Sequence, residues 1–290
     1  MPLDKLLEGH QNLPHIFMCG SSMRKPEKER CRDASMSERV FFQIDEPYRE
    51  YLIRGQKFYV EQGKSRLLSQ FENISEAADK HADEWLKEAG EWFNPDYDDP
   101  GQFYERAEAE AIDFYGMLVD LRETTLLSIT AGMYHQWEKL LRDFLTTEIN
   151  KWHVGEEFPR RVWGANFDQI IELLKSMGWD IAATKFYESL DRCRLVVNVF
   201  KHGNGGSFKT LCDKHPEFFG DLPSEDPMWI HFDELKVNED HLDEFSDAII
   251  AFWNEFPDEL TNIDFNEAPE WVKKAIHKDE KKSAGSAEAV

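Results

Sequence analysis

The apolar positions along this chain step by three and four, the spacing that lines one face of an α-helix. From about residue 48 to 93, Leu67, Phe71, Ile74, Ala78, His81, Trp85, Ala89 and Trp92 make one such stripe, ended by Pro95, Pro100 and Gly101. A second helical run goes from Phe103 to about Trp152. Ala107, Ala111, Phe114, Leu118 and Leu121 form its first stripe, and Met133, Trp137, Leu141 and Phe144 continue it. Unbroken, that run would span roughly 75 Å, long for a globule, which predicts a bend between Thr124 and Gly132. Pro159 marks a loop. Asn166 or Asp168 can cap a short helix through Ile170, Ile171, Leu174 and Met177 that stops at Gly178. Asp180 can cap the next helix, anchored by Phe186, Leu190, Cys193, Val197 and Phe200 and stopped by Gly203. A last helix is expected from about Glu239 to Phe256, with Leu242, Phe245, Ile249 and Trp253 on one face.

Between and beyond these runs the pattern lapses. Residues 1–36, broken by Pro2, Pro14, Pro26 and the Gly20-Ser21-Ser22 turn, read as an irregular arm whose basic run Arg24 to Arg32 is solvated. Residues 203–229 are rich in Gly and Pro and read as irregular. Residues 269–290 read as a polar, disordered tail. Alternating strand patterns are nearly absent, His231 to Val237 being the one short candidate. The fold class is therefore all-α, an antiparallel helical bundle over 122–268 with a long helical segment, 37–121, packed on it.

Charge changes the picture. The 290 residues carry 34 Lys and Arg against 57 Asp and Glu, a formal net charge of −23. That excludes a protein that coats nucleic acid or an anionic membrane with its whole surface. The distribution is uneven: residues 82–110 hold ten acids against Lys87 and Arg106, and 217–268 hold 16 acids against Lys236. Residues 192–215 are the reverse, with Arg192, Arg194, Lys201, Lys209 and Lys214 against Asp213 alone. A basic island in so acidic a chain is a candidate anion site that would admit RNA only through a narrow, gated access. The alternative is that it pairs with the acidic segments inside the fold.

No run approaches the roughly 20 apolar residues of a membrane helix, and the first residues lack the apolar core of a secretory signal. Four scattered cysteines without a CxxC pair read as free thiols in a reducing cytoplasm. No His has Asp or Glu three residues before it, so a di-iron bundle site is excluded. Cys212 and His215 have metal-like spacing but lack a second close pair. No cofactor or metal is expected.

The chemistry concentrates in one helix. Arg194, Asn198 and His202 lie at i, i+4 and i+8, successive turns of one face. His202 falls in the last turn, where the helix dipole favours a cation and suits a general acid. Arg194 can hold a phosphate bidentately. The loop Gly203 to Ser207 can offer backbone N–H groups to a phosphate or act simply as a helix cap and turn. Lys201, Arg192, Lys209 and Ser207 are the candidate phosphate contacts, and His135 with Glu138, at i and i+3, a supporting pair.

The stretch Leu190 to Ser207, with its Asn-Val-Phe-Lys-His-Gly core, resembles the signature helix of HEPN-domain proteins. Met133 to Leu141 is similar to the partner helix of such proteins, and the helix ending Ala251-Phe252-Trp253 to their closing helix. The resemblance spans roughly 120–256. It implies an α-helical bundle of a prokaryotic abortive-infection or toxin–antitoxin system, a metal-independent endoribonuclease acting by 2′-hydroxyl attack, and a homodimer that brings two motifs together, with an antitoxin as a further partner. It also implies Arg194 as phosphate binder, Asn198 as orienting partner and His202 as general acid–base. The interval from Arg194 to His202 is longer than the family's usual four to six residues. The competing expectation is a non-catalytic interaction or regulatory module of the same fold, with the acidic helices at 48–93 and 103–121 as its working surface, for a partner protein or as a nucleic-acid mimic.

Overall fold

A computed structural model describes residues 39–220, 230–262 and 267–287, and these are almost entirely helical. The expected arm at 1–36 lies outside the described residues. A short strand β1 (Arg39–Gln43) leads into α1 (Glu46–Arg66), whose N-terminus is capped by the Asp45 side chain accepting from Tyr48 N. The expected single helix over 48–93 is interrupted. Leu68–Phe71 form a 3-10 turn before α2 (Ile74–Gly90). The Ser65 and Ser69 hydroxyls donate to the carbonyls of Glu61 and Ser65 there. The break resets the helical phase, so Leu67 is exposed and Leu68 buried.

The longest element is α3 (Pro100–Trp152), one uninterrupted helix of 53 residues, about 80 Å at 1.5 Å per residue. The bend expected near Thr124 to Gly132 does not break it. The hydroxyls there bond back onto the helix itself, Ser128 to Thr124 O at 2.7 Å and Thr130 to Leu126 O at 2.9 Å. Gly132 serves close packing: a Cβ there would lie 2.1 Å from the Tyr59 hydroxyl on α1.

The second half of α3 is the axis of the core. Leu126, Met133, Trp137, Leu141, Leu145 and Ile149 are buried along it. Around it pack α4 (Glu157–Gly164), α6 (Tyr187–His202), α8 (Glu239–Glu255) and α1. α5 (Phe167–Ser176) begins at Asn166, which with Gln169 forms a reciprocal capping box. Asn238 and His241 form the same box at the start of α8. Asp180 precedes a 3-10 turn, Ile181–Ala183, and α6 starts only after Phe186. Arg49 is buried and donates to Phe256 O at 2.7 Å and to Trp253 O, so α1 closes the C-terminal end of α8.

Four further expectations change. Part of the stretch whose composition predicts irregular structure is α7 (Gly206–Lys214), while 221–229 lie outside the described residues. The strand candidate at His231 to Val237 contains instead a 3-10 turn, Phe232–Glu234. Two strands pair elsewhere, β1 antiparallel with β2 (Glu259–Asn262), with a bulge between Val40 and Phe42. They bury Phe42 and Leu260, and four or five residues separated by most of the chain leave no local alternation to read. In place of the disordered tail, Glu270–Ala287 form α9, which packs on α4. Its buried row is Val272, Ala275 and Asp279, with Ala268 buried just before the helix. The last member is a carboxylate, so the row does not read as apolar. Among the described residues no helix is long and apolar enough to cross a membrane.

Candidate functional site

α6 is held by Leu190, Cys193, Leu195, Val196, Val197 and Val199, all buried. Phe200, expected in the core, is 38% exposed. Gly203, at φ 62°, ends the helix in a backbone conformation that favours glycine. The Phe232 ring lies 3.4 Å from where a Cβ on Gly203 would sit. Cys193 is fully enclosed, and burial pushes its thiol well above the ordinary range, which makes it a packing residue and not a nucleophile.

The predicted polar row divides into two groups. At the N-terminal end, Arg194 turns back along the helix. Its Nε and Nη2 donate to Asp191 Oδ1 at 2.7 and 2.6 Å, and its guanidinium carbon stands 5.3 Å from the Phe167 ring centroid on α5. Asp191 and Phe167, neither singled out from the sequence, hold it there. The Asp191 partner was legible as the acid three residues before Arg194. Tyr134 is buried beside this group. Its hydroxyl is raised well above its ordinary pKa by burial, with Glu138 and Cys193 adding and Arg194 and Arg142 opposing. His135 Nδ1 lies 3.7 Å from Glu138, as the spacing suggested. Glu138, however, also accepts from Arg142 Nη2 at 2.6 Å, and Arg142 Nη1 donates to Val162 O at 2.6 Å. The pair therefore belongs to the joint between α3 and α4.

At the C-terminal end lie Lys201 and His202, both exposed, with Asn198 half-buried one turn earlier. Neither the Lys201 ammonium nor the His202 ring has an ion pair or hydrogen bond among the described residues. α7 follows, with Ser207 partly buried in its first turn and Lys209 exposed. Gly205 gives α7 no side-chain cap, so the positive end of that helix is open to an anion. Arg192 is not part of this surface. It donates to Ser189 at 3.1 Å and to Glu244 on α8, and is an internal tie. Of the five cations in the basic island, Arg192 and Arg194 are thus neutralised within the fold, while Lys201, Lys209 and Lys214 remain unpaired among the described residues.

His202 lies eight positions after Arg194, about 12 Å along the helix axis, and Arg194 leans towards Asp191, away from His202. One chain therefore does not bring the two onto one phosphate. A cavity of about 580 Å³ is lined by Glu61, Lys64, Leu68, Phe71, Arg122 and Glu239 among others, and no α6 residue takes part.

The first half of α3 offers a different kind of surface. Phe103, Ala107, Ala111, Phe114 and Leu118 form the stripe towards α2, where Phe103 meets Trp85 and Trp92, and Phe114 stacks on His81 at 4.3 Å. Outside that stripe, Tyr104, Ile112, Tyr115, Met117 and Leu121 are all exposed, as are Trp92 and Tyr97 at the tip. No family model, curated protein or solved structure matches the chain.

Proposed function

We propose that this chain is a non-catalytic helical interaction module whose working surface is the α2–α3 hairpin. The observation that carries this reading is the row of Tyr104, Ile112 and Tyr115 left exposed on one face of the first half of α3. Large apolar side chains grouped on one exposed element mark a binding surface. The bundle formed by the second half of α3 with α1, α6 and α8 then serves as the anchor. A photoreactive residue placed at Tyr104 or at Ile112, in cells that naturally express the protein, should give a discrete crosslinked species. The same residue at Ala182, exposed on the bundle, should not. Equal products at all three positions, or none, would count against the hairpin.

A second reading keeps the HEPN-like ribonuclease. It is favoured by the exposed, unpaired His202 beside Lys201, Lys209 and the uncapped start of α7. Because Arg194 is engaged by Asp191, this reading requires a second copy, or a partner such as an antitoxin, to complete or release the site. It expects single-stranded RNA to be cleaved in the presence of chelator, and roughly a hundredfold or greater loss in His202→Ala, the usual contribution of a general acid–base. Cleavage unchanged by the substitution, or absent from the wild type alone and from its dimer, removes this reading.

A further inference from the structure

The open face of α3 also specifies the chemistry of what covers it. We infer that it docks a basic, amphipathic helical segment of another protein, an inference that rests on the interaction-module reading. Tyr104, Glu108, Ile112, Tyr115 and Val119 follow one another at intervals of four, four, three and four. That is the rhythm of the stripe covered by α2, displaced by one residue, so it runs alongside the covered stripe for the same length. Tyr104 and Ile112 are 67% and 64% exposed. A helix laid on this second stripe would complete a three-helix bundle of which the chain supplies two members.

Charge selects the occupant. Between residues 74 and 123 there are 15 acids against Lys80, Lys87, Arg106 and Arg122. Glu108 lies within the stripe and Glu105 beside it, both exposed and without an ion pair among the described residues. A second copy presenting the same hairpin would set one acidic surface against another, and nucleic acid would meet the same repulsion. A partner helix with an apolar strip flanked by Lys and Arg meets complementary groups in both respects. The two open tyrosines add amphipathic contact area at low entropic cost, the composition found at binding hot spots.

The test uses the full chain and three synthetic peptides about five turns long. One is an amphipathic leucine–lysine helix, the second has glutamate in place of each lysine, and the third has the first one's composition with its apolar stripe scrambled. Binding is read by fluorescence anisotropy at near-physiological salt and located by hydrogen exchange. The amphipathic basic peptide should bind, protect residues 101–121, and weaken at least about tenfold in the triple variant Tyr104→Ser, Ile112→Ser, Tyr115→Ser. It should weaken further with added salt. The pair Glu105→Gln and Glu108→Gln, which leaves the apolar members of the stripe in place, should also lower affinity. Circular dichroism checks that both variants keep their helix. A basic peptide that binds the triple variant as well as the wild type reports net charge alone and overturns the inference. Equal binding of the acidic and basic peptides on the stripe overturns the basic occupant and leaves the interaction module standing. No binding by any peptide overturns the inference too, and crosslinking at Tyr104 then decides the broader reading.

Discussion

Replacing Phe252 by alanine should cost roughly 3–5 kcal/mol of stability, the usual loss for a large aromatic removed from a packed core. Phe252 is fully buried. Its ring centroid lies 5.1 Å from that of Trp137 on α3, 5.1 Å from Trp179, 5.0 Å from Trp253 and 5.9 Å from Phe256. It also lies edge-on to Phe186, just before α6, at 6.2 Å. One side chain thus joins α3 and α8 to the segment that starts α6. The void left behind would be ringed by indoles and phenyls that cannot all collapse into it. For a chain of this size the loss corresponds to a melting temperature lower by roughly 6–20 °C. Phe200→Ala is the matched control. That ring is exposed, and its removal should change stability by no more than about 0.5 kcal/mol. Denaturant unfolding followed by circular dichroism compares the two. Similar losses in both would mean that Phe200 is a core residue after all.

Asp279→Ala should cost roughly 2–4 kcal/mol, because it leaves buried N–H groups without partners. The Asp279 carboxylate accepts from Glu157 N at 2.9 Å, from Phe158 N at 3.0 Å and lies 2.9 Å from His153 Nε2. It therefore caps the start of α4 from a residue more than a hundred positions away. Gly155 passes directly over it, at φ 153°, and a Cβ there would lie 2.3 Å from the Asp279 carboxyl carbon. Gly155→Ala should loosen the same joint, and limited proteolysis should then remove α9 in both variants while sparing the bundle.

The joint also sets an acid limit. Burial pushes the Asp279 pKa up, but His153 and the two N–H groups outweigh it and hold the carboxyl below its ordinary value. Hydrogen bonds from Lys278 and Arg160 bring Glu157 down to about 2. Folded-state values below the unfolded ones mean that the unfolded chain binds more protons in acid. This stabilisation is complete above the ordinary carboxylate range and is lost as pH falls from about 4.5 towards 2. The urea midpoint of the wild type should fall over that window, and the fall should be shallower in Asp279→Ala. A parallel fall in both would exclude Asp279 as its source.

Much of the fold was legible because helix signals are local. The stripes around Trp137, Leu190 and Phe245, the Asn166 cap and the stop at Gly203 all depend on residues within a few positions of one another. The turn between α1 and α2 was harder. Leu67 and Leu68 are equivalent in composition, and only packing decides that α1 ends at Arg66 and which of the two is buried. The candidate site was legible in the same partial way. Spacing places Arg194, Asn198 and His202 on one face of α6, but a face is not a point. The Asp191 carboxylate and the Phe167 ring draw Arg194 to one end, and among the described residues no partner draws His202 with it.

The sequence by itself determined the helical class, the central stripes of the core and the uneven charge that sets an acidic hairpin against a small basic enclave. These follow from periodicity and composition, which need no knowledge of distant neighbours. Only the tertiary structure decided that the polar 270–287 segment is a docked helix, that β1 pairs with β2, that Arg192 and Arg194 are internally neutralised, and that one stripe of α3 is covered while the next is open. Each of those outcomes turns on a partner far away in the chain, and a carboxylate or an apolar row gains its meaning only from what the fold sets against it.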